Sequence, residues 1–153
     1  MKITFLFLFI SVFQSLMYAQ RVDSLHIYSK ELGKERKVRI YTPWEYDHKP
    51  NSKFEVIYVF DAQAKHFFDI VHATLPFINK SQFPMIVVGV VSENRNVDFL
   101  PKSIHPETFK SYNGNIGKAD QFINFLGKEL VPYMDDNYRT LPKRIAIGHS
   151  NGG

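Results

Sequence analysis

Two uninterrupted apolar runs constrain this chain more than anything else in it: Val56-Ile57-Tyr58-Val59-Phe60 and Met85-Ile86-Val87-Val88-Gly89-Val90-Val91. A strand with one wet face alternates apolar and polar residues, whereas a strand apolar at every position needs cover on both sides. A parallel sheet between helices provides that cover, and its neighbouring strands are joined by crossovers. Phe67, Phe68, Val71, Leu75 and Ile78 recur at helical spacing between the two runs and supply one such crossover. The unit reads β-α-β. The expected fold class is α/β, with a mostly parallel sheet.

The segments on either side fit around that unit. Val22 to Ser29 and Glu35 to Tyr41 alternate, with Leu32-Gly33-Lys34 between them, which predicts an amino-terminal antiparallel hairpin. Pro43 ends the second strand, and residues 46–53 read as a polar loop. A longer helix is predicted from about Lys118 to Asp136, its stripe formed by Phe122, Ile123, Phe125, Leu126, Leu130, Tyr133 and Met134. Pro132 lies inside it and should kink or shorten its last turn. A final strand is predicted at Arg144-Ile145-Ala146-Ile147, with the character of a central strand.

The amino terminus has the layout of a secretory signal peptide: Lys2, an apolar run from Ile3, and the small Ala19. Ser11, Gln14 and Ser15 break the run, so it is too short to span a bilayer and no stable membrane anchor is expected. Residues 1–19 are thus expected to be removed, leaving a periplasmic or secreted protein. Amino-terminal sequencing of the exported protein should begin at Gln20; a start upstream of Met17 would contradict this. With no cysteine in the chain, a disulfide scaffold, a thiolate zinc site and a cysteine nucleophile are excluded. The net charge of +4 is small and dispersed. Its densest part, Lys34-Glu35-Arg36-Lys37-Val38-Arg39, mixes signs like the wet face of a strand, and no nucleic-acid partner is expected.

The chemistry is concentrated in Gly148-His149-Ser150-Asn151-Gly152-Gly153. G-x-S-x-G directly after an apolar strand is the nucleophile elbow of the α/β-hydrolase fold. A serine alcohol is a weak nucleophile and must stand clear of the sheet where a base can reach it. The sharp strand-to-helix turn does this, and it crowds the backbone so that glycine is needed at 148 and 152. Ser150 is therefore the candidate nucleophile. His149 is excluded as its base, because adjacent strand residues point to opposite faces. The other histidines, at 26, 48, 66, 72 and 105, all precede the elbow. Chain order on this fold runs Ser, acid, His, so the acid and base are expected beyond Gly153. Residues 20–153 are then the amino-terminal part of one domain, truncated at the elbow.

The chain resembles the esterases of the enterochelin-esterase, feruloyl-esterase and S-formylglutathione-hydrolase type, a group that includes the mycolyltransferases. The resemblance rests on ordered pieces: Val56 to Asp61; Ile86 to Val90 followed by Asn94-Arg95 and Asp98; Glu129-Leu130-Val131-Pro132-Tyr133; Tyr138-Arg139-Thr140; and the elbow. It implies an oxyanion hole built from the backbone N–H groups of Gln63 and Asn151. The family usually has glycine where this chain has Ala62. It also implies that Asp61 and an Arg95–Asp98 pair order the loops beside the site. Trp44, Tyr41 and Tyr46 read as anchors of a loop to the core, with a sugar or aryl pocket as the alternative.

The function expected is that of an exported serine esterase working through an acyl-enzyme on Ser150. No metal or organic cofactor is implied. The expected partner is a small-molecule or carbohydrate-linked ester. An acyltransferase and a non-catalytic esterase-like binding module are the alternatives, and the sequence leaves substrate and oligomeric state open.

Overall fold

The computed structural model of the chain describes residues 21–78, 82–102, 105–113 and 116–153. The signal peptide expected at residues 1–19 lies outside the described residues. Strands β1 (Arg21–Ser29) and β2 (Lys34–Thr42) form the predicted hairpin, closed by Gly33 at φ +65°, a conformation glycine adopts without steric cost. Then follow helix α1 (Trp44–His48), β3 (Phe54–Phe60), α2 (Lys65–Ile78), β4 (Met85–Val90), and the short helices α3 (Arg95–Asp98) and α4 (Pro106–Ser111). The chain continues through α5 (Ala119–Asn124), a π-turn (Phe125–Leu130), α6 (Val131–Asn137) and β5 (Thr140–Ile147) to a 3₁₀ turn at Ser150–Gly152.

The five strands form one sheet in the order β1-β2-β4-β3-β5. β3 is parallel to both β4 and β5, and β2 is antiparallel to its two neighbours. Among the described strands, β2 alone runs against the others. Alternate residues of β3 feed two cores, as the unbroken apolar run requires. Val56 and Tyr58 pack with Phe122, Phe125, Leu130 and Met134 on one face. Ile57 and Val59 pack with Phe68 and Ala62 on the other.

Gly89 of β4 lies under α2, where an added Cβ would stand 2.5 Å from the Phe68 ring and 2.9 Å from the Ala62 methyl. Gly89→Ala is therefore expected to cost about 1–3 kcal/mol through overpacking, read as a lower urea midpoint at unchanged slope. Unchanged stability would show that Phe68 does not hold this position.

Several expectations need correction. The predicted loop at 46–53 begins as helix α1, whose first turn carries Glu45 and Asp47, acidic residues that favour a helix start. Ile78, placed on the buried stripe of α2, is exposed. Trp44 is also exposed rather than an anchor, while Tyr41 is buried. Pro132 does not shorten the last turn, since α6 continues to Asn137. Proline lacks an N–H and crowds the carbonyl four residues back; the π-turn immediately before α6 widens the helix there instead. β5 is four residues longer than predicted and lies at the edge of the described sheet. Pro142 fits because it falls where the register shifts between Phe54 and Val56 of β3, and an edge strand tolerates a missing donor.

Candidate active site

β5 delivers Gly148 to Gly153 to the edge of the sheet formed by the carboxyl ends of β3, β4 and β5. Ser150 is exposed and has φ +56°, a left-handed conformation that costs a residue with a Cβ about 1 kcal/mol or more. The 3₁₀ turn that follows is closed by Gly152 N–H donating to His149 O and Gly153 N–H to Ser150 O, each at 3.0 Å. The turn folds tightly on itself: a Cβ at Gly148 would overlap the carbonyl group of Gly152. At Gly152 the limit is different, because a Cβ there would press on Asp61 Oδ2 at 3.2 Å and the Phe99 ring at 3.3 Å. Gly148→Ala should open the turn and lower labelling of Ser150 by an active-site-directed phosphonate at least tenfold, with far-UV circular dichroism unchanged. Wild-type labelling of that variant would show that the turn does not need this geometry.

Asp61 directly follows β3, is buried, and has φ +62°. One of its oxygens, Oδ1, accepts from Gln63 Nε2 and Arg95 Nε, both at 2.8 Å. Arg95 then donates through Nη2 to the His149 carbonyl at 3.0 Å. The Gln63 side-chain oxygen accepts from Ser92 N–H at 2.9 Å, and Ala62 N–H donates to Val90 O at 3.1 Å. The residues following three parallel strands are thereby linked through one carboxylate and its partners. Among the described residues, no backbone carbonyl takes the N–H of Gln63 or Asn151.

The resemblance implies that Arg95 and Asp98 pair; they do not pair with each other. The single turn of α3 sends them different ways. Arg95 reaches Asp61, whereas Asp98 turns into the core and binds Arg36 of β2 in a two-pronged pair at 2.9 and 2.6 Å. Ser92 Oγ also donates to Asp98, at 2.8 Å. Arg36 is the residue that the reading of a wet strand face missed, being only 1% exposed. Its signal was parity: Arg36 shares a face of β2 with the buried Val38 and Ile40.

Several of the histidines that precede Ser150 have side-chain partners of their own. The His149 ring stacks on Phe67 at 5.1 Å, and His66 lies 4.4 Å from that same Phe67. His72 packs against Tyr41 and bonds with Asp69. Burial holds the His72 imidazole below its ordinary value, against the opposing pull of Asp69. His48 stacks on Trp44, and His26 lies on β1 opposite Lys37. Among the described residues no group of His, Asp and Glu is arranged to hold a metal ion, and no helix is long and apolar enough to cross a membrane.

Residues 29–153 match the model of a protein family described as "Putative esterase". Among solved structures, the chain is similar to an IroE-like serine hydrolase from Shewanella oneidensis, with 25% identity and a TM-score of 0.72, covering 86% of this chain and 43% of that one. It is similar also to the BES protein from Bacillus cereus, with 28% identity and a TM-score of 0.71, covering 89% of this chain and 56% of that one. A ferulic acid esterase from Anaeromyces mucronatus, solved in complex with ferulic acid, shares the fold at 23% identity and a TM-score of 0.57, covering 87% of this chain and 50% of that one. The chain thus spans less than two thirds of the length of each of these structures. No curated protein matches it.

Proposed function

The chain belongs to the esterase family whose model it matches over residues 29–153, and from that premise we propose that it carries the nucleophile half of an exported serine esterase. The observation behind this reading is the left-handed, exposed Ser150 at the end of β5, in a turn that only glycine at 148 permits. In the proposed reaction, Ser150 Oγ attacks the ester carbonyl and the N–H groups of Gln63 and Asn151 stabilise the oxyanion. Expulsion of the alcohol leaves an acyl-enzyme, which water then hydrolyses to acid and free serine. The Asp61–Arg95 link positions the two donors relative to each other, since it joins the Gln63 loop to the backbone just before Ser150.

The triad acid and histidine follow the elbow in the order this fold uses. The histidines before it support this placement, because His149 and His72 are stacked against aromatic side chains. The test is turnover of p-nitrophenyl acetate and methyl ferulate by the whole enzyme, with and without an added acceptor alcohol. Hydrolysis to free acid supports the esterase. Transfer to the alcohol in preference to water would favour the acyltransferase, and tight ester binding without turnover would favour a binding module.

A further inference from the structure

At the edge of the sheet opposite the elbow lies a second concave site, a cavity of about 300 Å³. Thr42 and Arg21, paired across the hairpin, form one wall. Tyr41 beside them sits opposite Val87, in the first half of β4, so this wall is at the amino ends of the parallel strands. Tyr46 of α1 and Tyr133 of α6 face it, with Tyr138 at the entry to β5. The eight residues of β5, at about 3.3 Å each, separate this cavity from Ser150 by on the order of 25 Å.

The lining has a definite chemistry. Arg21 Nε donates to Asp23 Oδ2 at 2.7 Å, so the charged groups on the wall cancel. Asn137 also lines the cavity; one of its amide hydrogens goes to the Tyr133 carbonyl at 2.8 Å, and its own oxygen is left as an acceptor. The Tyr46 and Tyr138 rings lie 6.3 Å apart, tilted at 52°. Burial, with Tyr133, Asp23 and Tyr46 nearby, raises the Tyr138 phenol against the pull of Arg21, so its hydroxyl remains a donor. Phenol rings, mixed donors and acceptors, and no net charge among the lining residues fit a ring with apolar C–H faces and several hydroxyls, although the Arg139 guanidinium covers one face of the Tyr46 ring at 4.0 Å. An anion would find its one cation already paired, and a purely apolar ligand would strand the polar groups. The volume is at the small end for ligand sites.

We propose that this cavity binds a sugar unit of a neutral glycan, at a site separate from Ser150. The site rests on its own lining and stands whether or not Ser150 is a nucleophile. The test is mobility of the full chain in native gels cast with soluble arabinoxylan, mixed-linkage β-glucan or galactomannan, and with anionic polygalacturonate as the contrast. Retardation by at least one neutral glycan is expected, with apparent affinity at least tenfold weaker in Tyr133→Ala and in the exposed-site variant Asp23→Asn, and unchanged in Ser150→Ala. Unretarded migration in all three neutral gels would overturn the proposal. So would retardation by polygalacturonate alone, or retardation that survives both cavity variants.

Discussion

Replacing Ser150 with alanine in the whole enzyme is expected to lower ester turnover by on the order of 10⁴-fold or more, about 5.5 kcal/mol of transition-state stabilisation. The size follows from the proposed chemistry: without the alcohol no acyl-enzyme forms, and only binding and the oxyanion donors remain to assist a direct attack by water. The fold should be unaffected. Ser150 is exposed, and alanine meets the same left-handed backbone cost as serine, so stability should remain within about 0.5 kcal/mol. Thermal unfolding run beside the kinetic assay separates the two effects. A variant that unfolds early, or one that keeps a tenth of its activity, would each argue against the role given to this residue.

The second large effect is on stability. Asp98→Ala is expected to cost about 3–5 kcal/mol, because it leaves a buried guanidinium without its counter-charge. Arg36 and Asp98 have side chains only 1% exposed, so water cannot substitute for the lost carboxylate. Ser92 Oγ loses its acceptor in the same step. In a domain of this size the loss amounts to a fall in melting temperature of roughly 10–20 °C. Replacing both partners by apolar residues, as in Arg36→Met with Asp98→Leu, should recover much of it, since no unpaired charge is then left in the core. A loss below about 1 kcal/mol for Asp98→Ala would mean that water or another group reaches Arg36. The pair also bears on the site, because Asp98 holds down the one turn of α3 from which Arg95 reaches Asp61.

Local chemistry explains which features were legible before the structure. Unbroken apolar runs at 56–60 and 85–91 fit strands covered on both faces, and the two cores on opposite faces of β3 are the direct result. The tight turn after β5 was legible because glycine at 148 answers to backbone crowding, and the overlap there is that crowding. Partner choice over long sequence separation was not legible. The resemblance implies an Arg95–Asp98 pair, but a one-turn helix divides the two between Asp61, 34 residues away, and Arg36, 62 residues away. Arg36 itself was hidden by its charged neighbours, although its alternation with Val38 and Ile40 carried the signal. The π-turn had no sequence signal beyond Pro132.

The central claim is that Ser150 is a reactive nucleophile because of the turn that holds it. Its most direct test is covalent labelling with a fluorophosphonate, which phosphonylates activated serine alcohols, followed by peptide mapping by mass spectrometry. The account predicts one modified residue, Ser150, in the whole enzyme and no modification in Ser150→Ala. Labelling at any other serine, with Ser150→Ala still labelled and still active, would contradict it.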